Sequence, residues 1–190
     1  MSILYRLSWV AANIYIKARY KFEVKSRVDL QNLTGPIIMT PNHESYLDAY
    51  AVLISFPFFS KIHPIYTMAA DWLYKNPLRQ FYLKSVHTMP TFSGQGMDVS
   101  LKIPKEALLK GSAILFFPEG GLNVTGSILP KSKIGAVLLS KEMNIPLLPI
   151  AVKIENKLCK VSIGAPYLLE NTEIEEARLE VMKKIRELEI

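Results

Sequence analysis

Gly35-Pro36-Ile37-Ile38-Met39-Thr40-Pro41-Asn42-His43-Glu44-Ser45-Tyr46-Leu47-Asp48 is the stretch on which the reading of this chain turns. An apolar run after a Gly-Pro turn predicts a short buried strand, and Ala49, Val52 and Leu53 predict a helix beyond it. Pro41 keeps Thr40 extended, so His43 stands where strand gives way to helix. Within one regular helix, residues five apart lie about 140° around the axis, so His43 and Asp48 would not meet there. They meet if the helix begins between them. Ser45-x-x-Asp48 has the capping-box form, which sends the Asp48 side chain back toward the residues before the helix. An imidazole held by a carboxylate has one nitrogen fixed as donor and the other left as a base. The same residues also suit a surface histidine beside a plain helix cap, and the rest of the chain must decide.

Working outward, apolar runs alternate with helical patterns. A strand is expected over Lys61–Thr67, then an aromatic helix over 71–84 that Pro77 kinks or divides, then a strand over Val86–Met89. Thr91–Gly96 reads as a loop, and its lone Gly94-x-Gly96 lacks the lysine and spacing of a phosphate loop. A helix through Ala107, Leu108 and Leu109 ends at Gly111. Ala113–Phe117 is an unbroken apolar strand that stops at Pro118-Glu119-Gly120-Gly121. A helix after Pro130, strands over Ile145–Val152 and Lys160–Ile163, and a helix opened by Thr172-x-x-Glu175 complete the pattern. This predicts a single α/β domain with a largely parallel central sheet flanked by helices, preceded by an N-terminal amphipathic helix. In such sheets sites form beyond the carboxyl ends of the strands, so His43 and Glu119 are expected to converge.

The boundary is set at residue 27, with 1–27 the amphipathic segment and 28–190 the main domain. Ile3, Leu7, Val10, Ala11, Ile14 and Ala18 recur at helical spacing, and Arg6, Lys17, Arg19, Lys21, Lys25 and Arg27 stand against Glu23. Such a helix suits either a membrane interface or the domain's own core, and the cations with Trp9 favour the membrane. The whole chain carries +6 over 190 residues, 49% hydrophobic and 21% charged, which is globular. With one cysteine, Cys159, it has no internal disulfide and no multi-cysteine metal site, and Cys159 reads as a core residue. No apolar run is long enough for a transmembrane helix, and Arg6 interrupts any signal-peptide pattern. The expected location is cytoplasmic, peripheral on the cytoplasmic face of a membrane.

No Gly-x-Ser-x-Gly elbow marks a serine hydrolase, and His43 has no second histidine at ligand spacing for a metal. His63 and His87 lie in strand-like runs and receive no role. The basic charge comes with no nucleic-acid recognition motif, so no nucleic-acid partner is expected. A carboxylate-oriented imidazole without an enzyme nucleophile suits direct attack by a substrate hydroxyl or amine. Gly120 and Gly121 leave backbone N–H groups unshielded, as an oxyanion site needs, although two glycines after a strand also make an ordinary turn. Glu119 either orients an acceptor hydroxyl or holds the local backbone.

These residues resemble a family. Asn42-His43-x-Ser45-x-x-Asp48 is similar to the first motif of the glycerolipid acyltransferases of the lysophosphatidic acid acyltransferase type, and Phe117-Pro118-Glu119-Gly120 to their third. Ile145-Pro146-x-x-Pro149-Ile150 resembles the fourth motif, and Leu129-Pro130 with Lys133 and Gly135-Ala136 the segment between. The resemblance implies acyl transfer from an acyl-CoA or acyl-carrier-protein thioester to a lysolipid hydroxyl, with no bound cofactor and no acyl-enzyme. It makes His43 the base, Asp48 its orienting partner, and Glu119 and Gly120 residues of acceptor binding, with Asn42 and Ser45 as motif members. Acyl-carrier protein and a membrane surface are the implied partners.

The departures matter as much. The third motif usually continues with threonine, arginine and serine, whereas here Gly121-Leu122-Asn123 follows. The second motif typically ends in an arginine, and Val86-His87-Thr88-Met89-Pro90-Thr91 has none. Those arginines are the family's phosphate ligands, and leucine cannot form their bidentate fork. Lys131 and Lys133 offer positive charge only as points. The expected acceptor is therefore not simple lysophosphatidic acid. The alternative is a catalytically silent lipid- or carrier-protein-binding module of the same fold.

Overall fold

The computed structural model describes residues 2–92, 96–123, 131–170 and 173–188. In chain order it forms α1 (Ile3–Arg19), β1 (Lys21–Ser26), β2 (Ile37–Pro41), α2 (Asp48–Ser55), β3 (Ile65–Ala70), a 3-10 helix (Asp71–Lys75) and α3 (Pro77–Ser85). β4 (Thr88–Thr91), α4 (Met97–Leu109), β5 (Ala113–Leu115), α5 (Ile134–Met143), β6 (Leu147–Glu155), β7 (Leu158–Ile163) and α6 (Ile174–Arg186) follow.

The strands make one sheet in the order β1-β7-β6-β2-β5-β3-β4. Every neighbouring pair is parallel except the β6–β7 hairpin. β2 is the middle strand and is buried at every position. Side chains alternate across a strand, so Ile37 and Met39 join one core with Ala51, Val52 and Ile54 of α2. Ile38 joins the opposite core with Leu101 of α4, Val137 of α5 and Val181 of α6. Helices on both faces explain why the run of 37–40 is apolar throughout rather than alternating. Cys159 lies in the buried part of β7, as expected of a core residue, and burial pushes its thiol up to about 11.

Several elements differ from the sequence pattern in their bounds. The strand expected over Lys61–Thr67 begins at Ile65, because Pro64 has no N–H to donate to a ladder. Pro77 divides the aromatic helix: the 3-10 turn ends, the Asn76 side chain accepts from the Arg79 N–H, and α3 starts with Pro77 in its first turn. The third strand lies at Thr88–Thr91 rather than Val86–Met89, since Val86 still bonds back into α3. β5 pairs over three residues only, and Phe116 and Phe117 run on toward the site. The lone Gly94-x-Gly96 has its first glycine outside the described residues, as do Leu129, Pro130 and Thr172.

The N-terminal boundary is corrected. Residues 21–27 do not continue the amphipathic helix; Lys21–Ser26 form β1, paired along its length with β7. The strand lies at the sheet edge and is mostly exposed, so its charged sequence lacks the apolar run that reveals the central strands.

α1 has two apolar sides. Tyr5, Trp9, Ala12 and Ile16 face the domain: Tyr5 and Ile16 are buried, and the Trp9 indole N–H donates to the Leu53 carbonyl at 3.1 Å. The stripe that is most obvious in the sequence, Ile3, Leu7, Val10 and Ile14, faces outward, with Ile3 77% exposed. Beside it α3 exposes Leu78 and Phe81, and the two helices are joined by Ser8 Oγ and Tyr82 Oη at 3.0 Å. Among the described residues no helix is long and apolar enough to cross a membrane.

Candidate active site

β2 and β5 pair in parallel with Met39 opposite Leu115, so the segments leaving their carboxyl ends run side by side. From β2 comes the turn 42–48, and from β5 the turn 116–123. His43 and Glu119 therefore converge as the sheet topology predicts.

Asp48 organises the first turn. Its Oδ2 accepts from the backbone N–H groups of Glu44 and Ser45, both at 2.7 Å, and lies 3.1 Å from Nδ1 of His43. The expected cap is thus half realised. The carboxylate reaches back as a capping box requires, but α2 starts only at Asp48, and the Ser45 hydroxyl accepts from the Leu47 N–H inside the turn. With Nδ1 on Asp48, Nε2 is the nitrogen left for chemistry. The imidazole also stacks on Phe117, with centroids 3.8 Å apart and planes 19° from parallel. Carboxylate and ring together fix its orientation, and its side chain keeps 17% of its surface open while Asp48 keeps 2%.

Glu119 answers the question left open by its position. Its carboxylate is buried and accepts from the backbone N–H of His43 at 2.9 Å. Its other oxygen accepts from the Asn123 side-chain amide, and the Asn123 backbone N–H donates to the His43 carbonyl at 2.7 Å. His43, Glu119 and Asn123 thus close a ring of hydrogen bonds that ties the two turns together. Burial pushes the Glu119 carboxyl up, and the bonds from His43 and Asn123 pull it back down. Glu119 holds the backbone. Asn123, which the sequence marks only as a departure from a motif, completes the ring.

The other expected site residues divide. Asn42 is fully buried, and its amide donates to the Val152 carbonyl at 2.9 Å and accepts from the Val152 N–H at 2.7 Å. It clamps the end of β2 to β6 and has no side-chain atom to offer a substrate. Gly120 is in the left-handed region at φ +76, and its N–H donates to the Phe117 carbonyl at 3.1 Å. That bond uses the Gly120 N–H within the turn, against the expectation of an oxyanion donor there. Lys131 is exposed and pairs with Glu175 at 3.0 Å, outside the cleft, whereas Lys133 lines it.

Above the two turns lies a cleft of about 1070 Å³. His43, Phe117, Gly120, Gly121 and Leu122 form its floor, and its walls are apolar residues such as Trp9, Leu53, Met68, Leu83 and Leu101 from both sequence halves. Arg178 of α6 also lines it, although nothing in the sequence near the motifs points to it. Leu122, where an arginine was expected, faces the same space. Among the described residues, no group of three or more His, Cys, Asp or Glu is placed to hold a metal ion.

Comparison with known proteins decides the family. The acyltransferase family pattern matches residues 21–153, spanning both turns and the strands that carry them. The chain belongs to the glycerolipid acyltransferase family. Among relatives, it is 28% identical over 151 residues to a chloroplastic 1-acyl-sn-glycerol-3-phosphate acyltransferase of Brassica napus, covering 76% of this chain and 40% of that one. It is 29% identical over 151 residues to the corresponding Arabidopsis thaliana protein, covering 76% and 38%. The chain therefore spans about 40% of the length of these relatives. The crystal structure of the 1-acyl-sn-glycerophosphate acyltransferase PlsC from Thermotoga maritima has the same fold, with a TM-score of 0.66 at 16% identity over 96% of this chain and 79% of that one.

Proposed function

We propose that this chain transfers a fatty acyl group from an acyl-CoA or acyl-carrier-protein thioester to the hydroxyl, or amine, of a lysolipid-like acceptor. The observation that carries the reading is the imidazole of His43, set by Asp48 and Phe117 at the floor of an apolar cleft. Nε2 takes the acceptor's proton as its oxygen attacks the thioester carbonyl carbon. The tetrahedral oxyanion is met by the Gly121 N–H, the carbon–sulfur bond breaks, and the imidazolium returns its proton to the leaving thiolate. A thioester is already activated, so no acyl-enzyme is needed. The alkyl chain lies along the apolar walls, where removing it from water contributes about 0.8 kcal/mol per methylene.

At the third motif Leu122 offers an acceptor head group no guanidinium fork, which favours an acceptor other than simple lysophosphatidic acid unless a cation from elsewhere in the cleft takes that place. The enzyme works from a membrane surface. The outward stripe Ile3, Leu7, Val10 and Ile14, with Arg6, Lys17 and Arg19 on the same helix, supports that docking, and α1 also walls the cleft through Tyr5 and Trp9.

Thiol release from acyl-CoA, with mass spectrometry of products from a panel of charged and neutral lysolipids, tests the reading. The wild type is expected to form an acylated product and His43→Ala to lose it. Equal background rates in both proteins would instead identify a silent lipid- or carrier-binding module of the same fold.

A further inference from the structure

The cleft has an electrostatic asymmetry. Among its described lining residues Lys133 and Arg178 are the only Lys or Arg, and none is Asp or Glu. The stem of Lys133 passes over Gly120, where a Cβ would come 2.6 Å from its Cγ, and its backbone N–H donates to the Pro118 carbonyl at 2.6 Å. Arg178 arrives from α6, more than fifty residues downstream of the third motif. Its Nε donates to the Ser132 carbonyl at 2.6 Å and its Nη1 to Glu175 at 2.5 Å, while the Ser132 N–H donates to the Arg178 carbonyl at 3.0 Å. The guanidinium is thereby oriented against Ser132, the chain neighbour of Lys133. Glu175 also pairs with Lys131, so two cations share one exposed carboxylate, and that carboxylate lies outside the cleft.

We propose that Arg178 and Lys133 form an anion subsite that takes a phosphate group of one of the two substrates. An apolar wall strengthens the field of the two cations; the Glu175 carboxylate that pairs with Arg178 stands outside the cleft and is shared with Lys131, so the cluster keeps a net positive charge. A planar guanidinium already oriented by two bonds loses little rotamer freedom on meeting a phosphate oxygen. The subsite supplies from the C-terminal helix the positive charge that Leu122 does not supply from the third motif. For the origin of the phosphate the inference rests on the acyl-transfer reading: it is either the acceptor's head group or the nucleotide and pantetheine phosphates of the donor.

Arg178→Gln, Arg178→Lys and Lys133→Gln, in the full chain, separate these sources. Each is assayed with acyl-CoA against an acyl-pantetheine that carries no phosphate, and with lysophosphatidic acid against monoacylglycerol. Arg178→Gln is expected to raise KM about tenfold for the phosphate-bearing member of one pair, leave its uncharged counterpart unchanged, and leave kcat nearly so. A shift confined to the donor pair assigns the subsite to the donor, and one confined to the acceptor pair assigns it to the acceptor. Arg178→Lys is expected to recover part of the loss, and Lys133→Gln to produce a weaker version of it. Inorganic phosphate is expected to raise the melting temperature of the wild type and not of Arg178→Gln, a readout independent of turnover. If charged and uncharged substrates are affected alike and phosphate stabilises both proteins equally, Arg178 is only a tether between α6 and Ser132, and the inference fails. A wild type that binds phosphate at Arg178 but turns over no thioester would leave the subsite standing and refute the acyl-transfer reading instead.

Discussion

The backbone N–H of His43 donates to Oε1 of Glu119 at 2.9 Å, while the imidazole of the same residue is held by Asp48. One residue is thus gripped twice, by its main chain from the β5 side and by its side chain from α2. The two grips separate the placement of the His43 backbone from the charge beside its imidazole, and they fail differently on mutation.

Asp48→Asn keeps an oxygen for the Glu44 and Ser45 N–H groups but removes the negative charge beside Nδ1. It is expected to lower kcat for acyl transfer about 10²–10⁴-fold with little change in melting temperature. Asp48→Ala is expected to lower both. Parallel thiol-release rates and thermal melts distinguish the pair, and an Asp48→Asn enzyme of normal rate would remove Asp48 from the mechanism.

Glu119→Ala leaves the His43 N–H and the Asn123 amide facing a buried gap. Loss of the ring of bonds is expected to cost about 1–3 kcal/mol, visible as a lower urea midpoint, and to reduce kcat by displacing the base. Asn123→Ala is expected to show a milder form of the same behaviour. A rise in acceptor KM at unchanged stability would mean that Glu119 binds substrate directly.

Tyr5 anchors α1 between two histidines. Its hydroxyl lies 2.9 Å from Nδ1 of His63, accepts from the Ile65 N–H at 3.1 Å, and its ring packs edge-on against His63 and His87. Burial lowers both histidines and pushes the Tyr5 hydroxyl up to about 12. The unfolded chain, with histidines near the usual value of about 6.5, binds more protons than the folded one just below that pH. Stability is therefore expected to be full above about pH 7 and to fall as pH drops through 6.5, levelling off only below the depressed folded values. Melting curves from pH 8 to pH 5 check the sign, and a transition that rises on acidification would contradict it.

Leu7 and Ile14 are 58% and 65% exposed on α1 and contribute little to the domain's own core. The double change to Asp is expected to weaken partition into anionic vesicles by at least about tenfold, since burying each side chain contributes roughly 1.5–3 kcal/mol, while leaving the melting temperature within a degree or two. Vesicle sedimentation reads the first effect and calorimetry the second. Unchanged partition would show that the stripe does not meet lipid.

The parallel α/β architecture and the pairing of His43 with Asp48 are determined by the sequence itself. Both depend on short-range chemistry: an apolar run long enough for a strand buried on two faces, and a carboxylate three residues after a turn serine. What lies far apart in the chain only the tertiary structure decided. β1 is polar because it is an edge, and its partner β7 lies over a hundred residues away. The Gly120 N–H is taken up by a turn bond, and Asn123 became part of the support of His43 by closing a ring across the turns after two strands. Arg178 entered the cleft because α6 packs beside Ser132. Periodicity reports which residues want to be buried. It does not report which of a helix's two apolar sides the core will take, and on α1 the less conspicuous one, Tyr5 to Ile16, went inward because Trp9 and Tyr5 each bring a polar atom that finds a partner there.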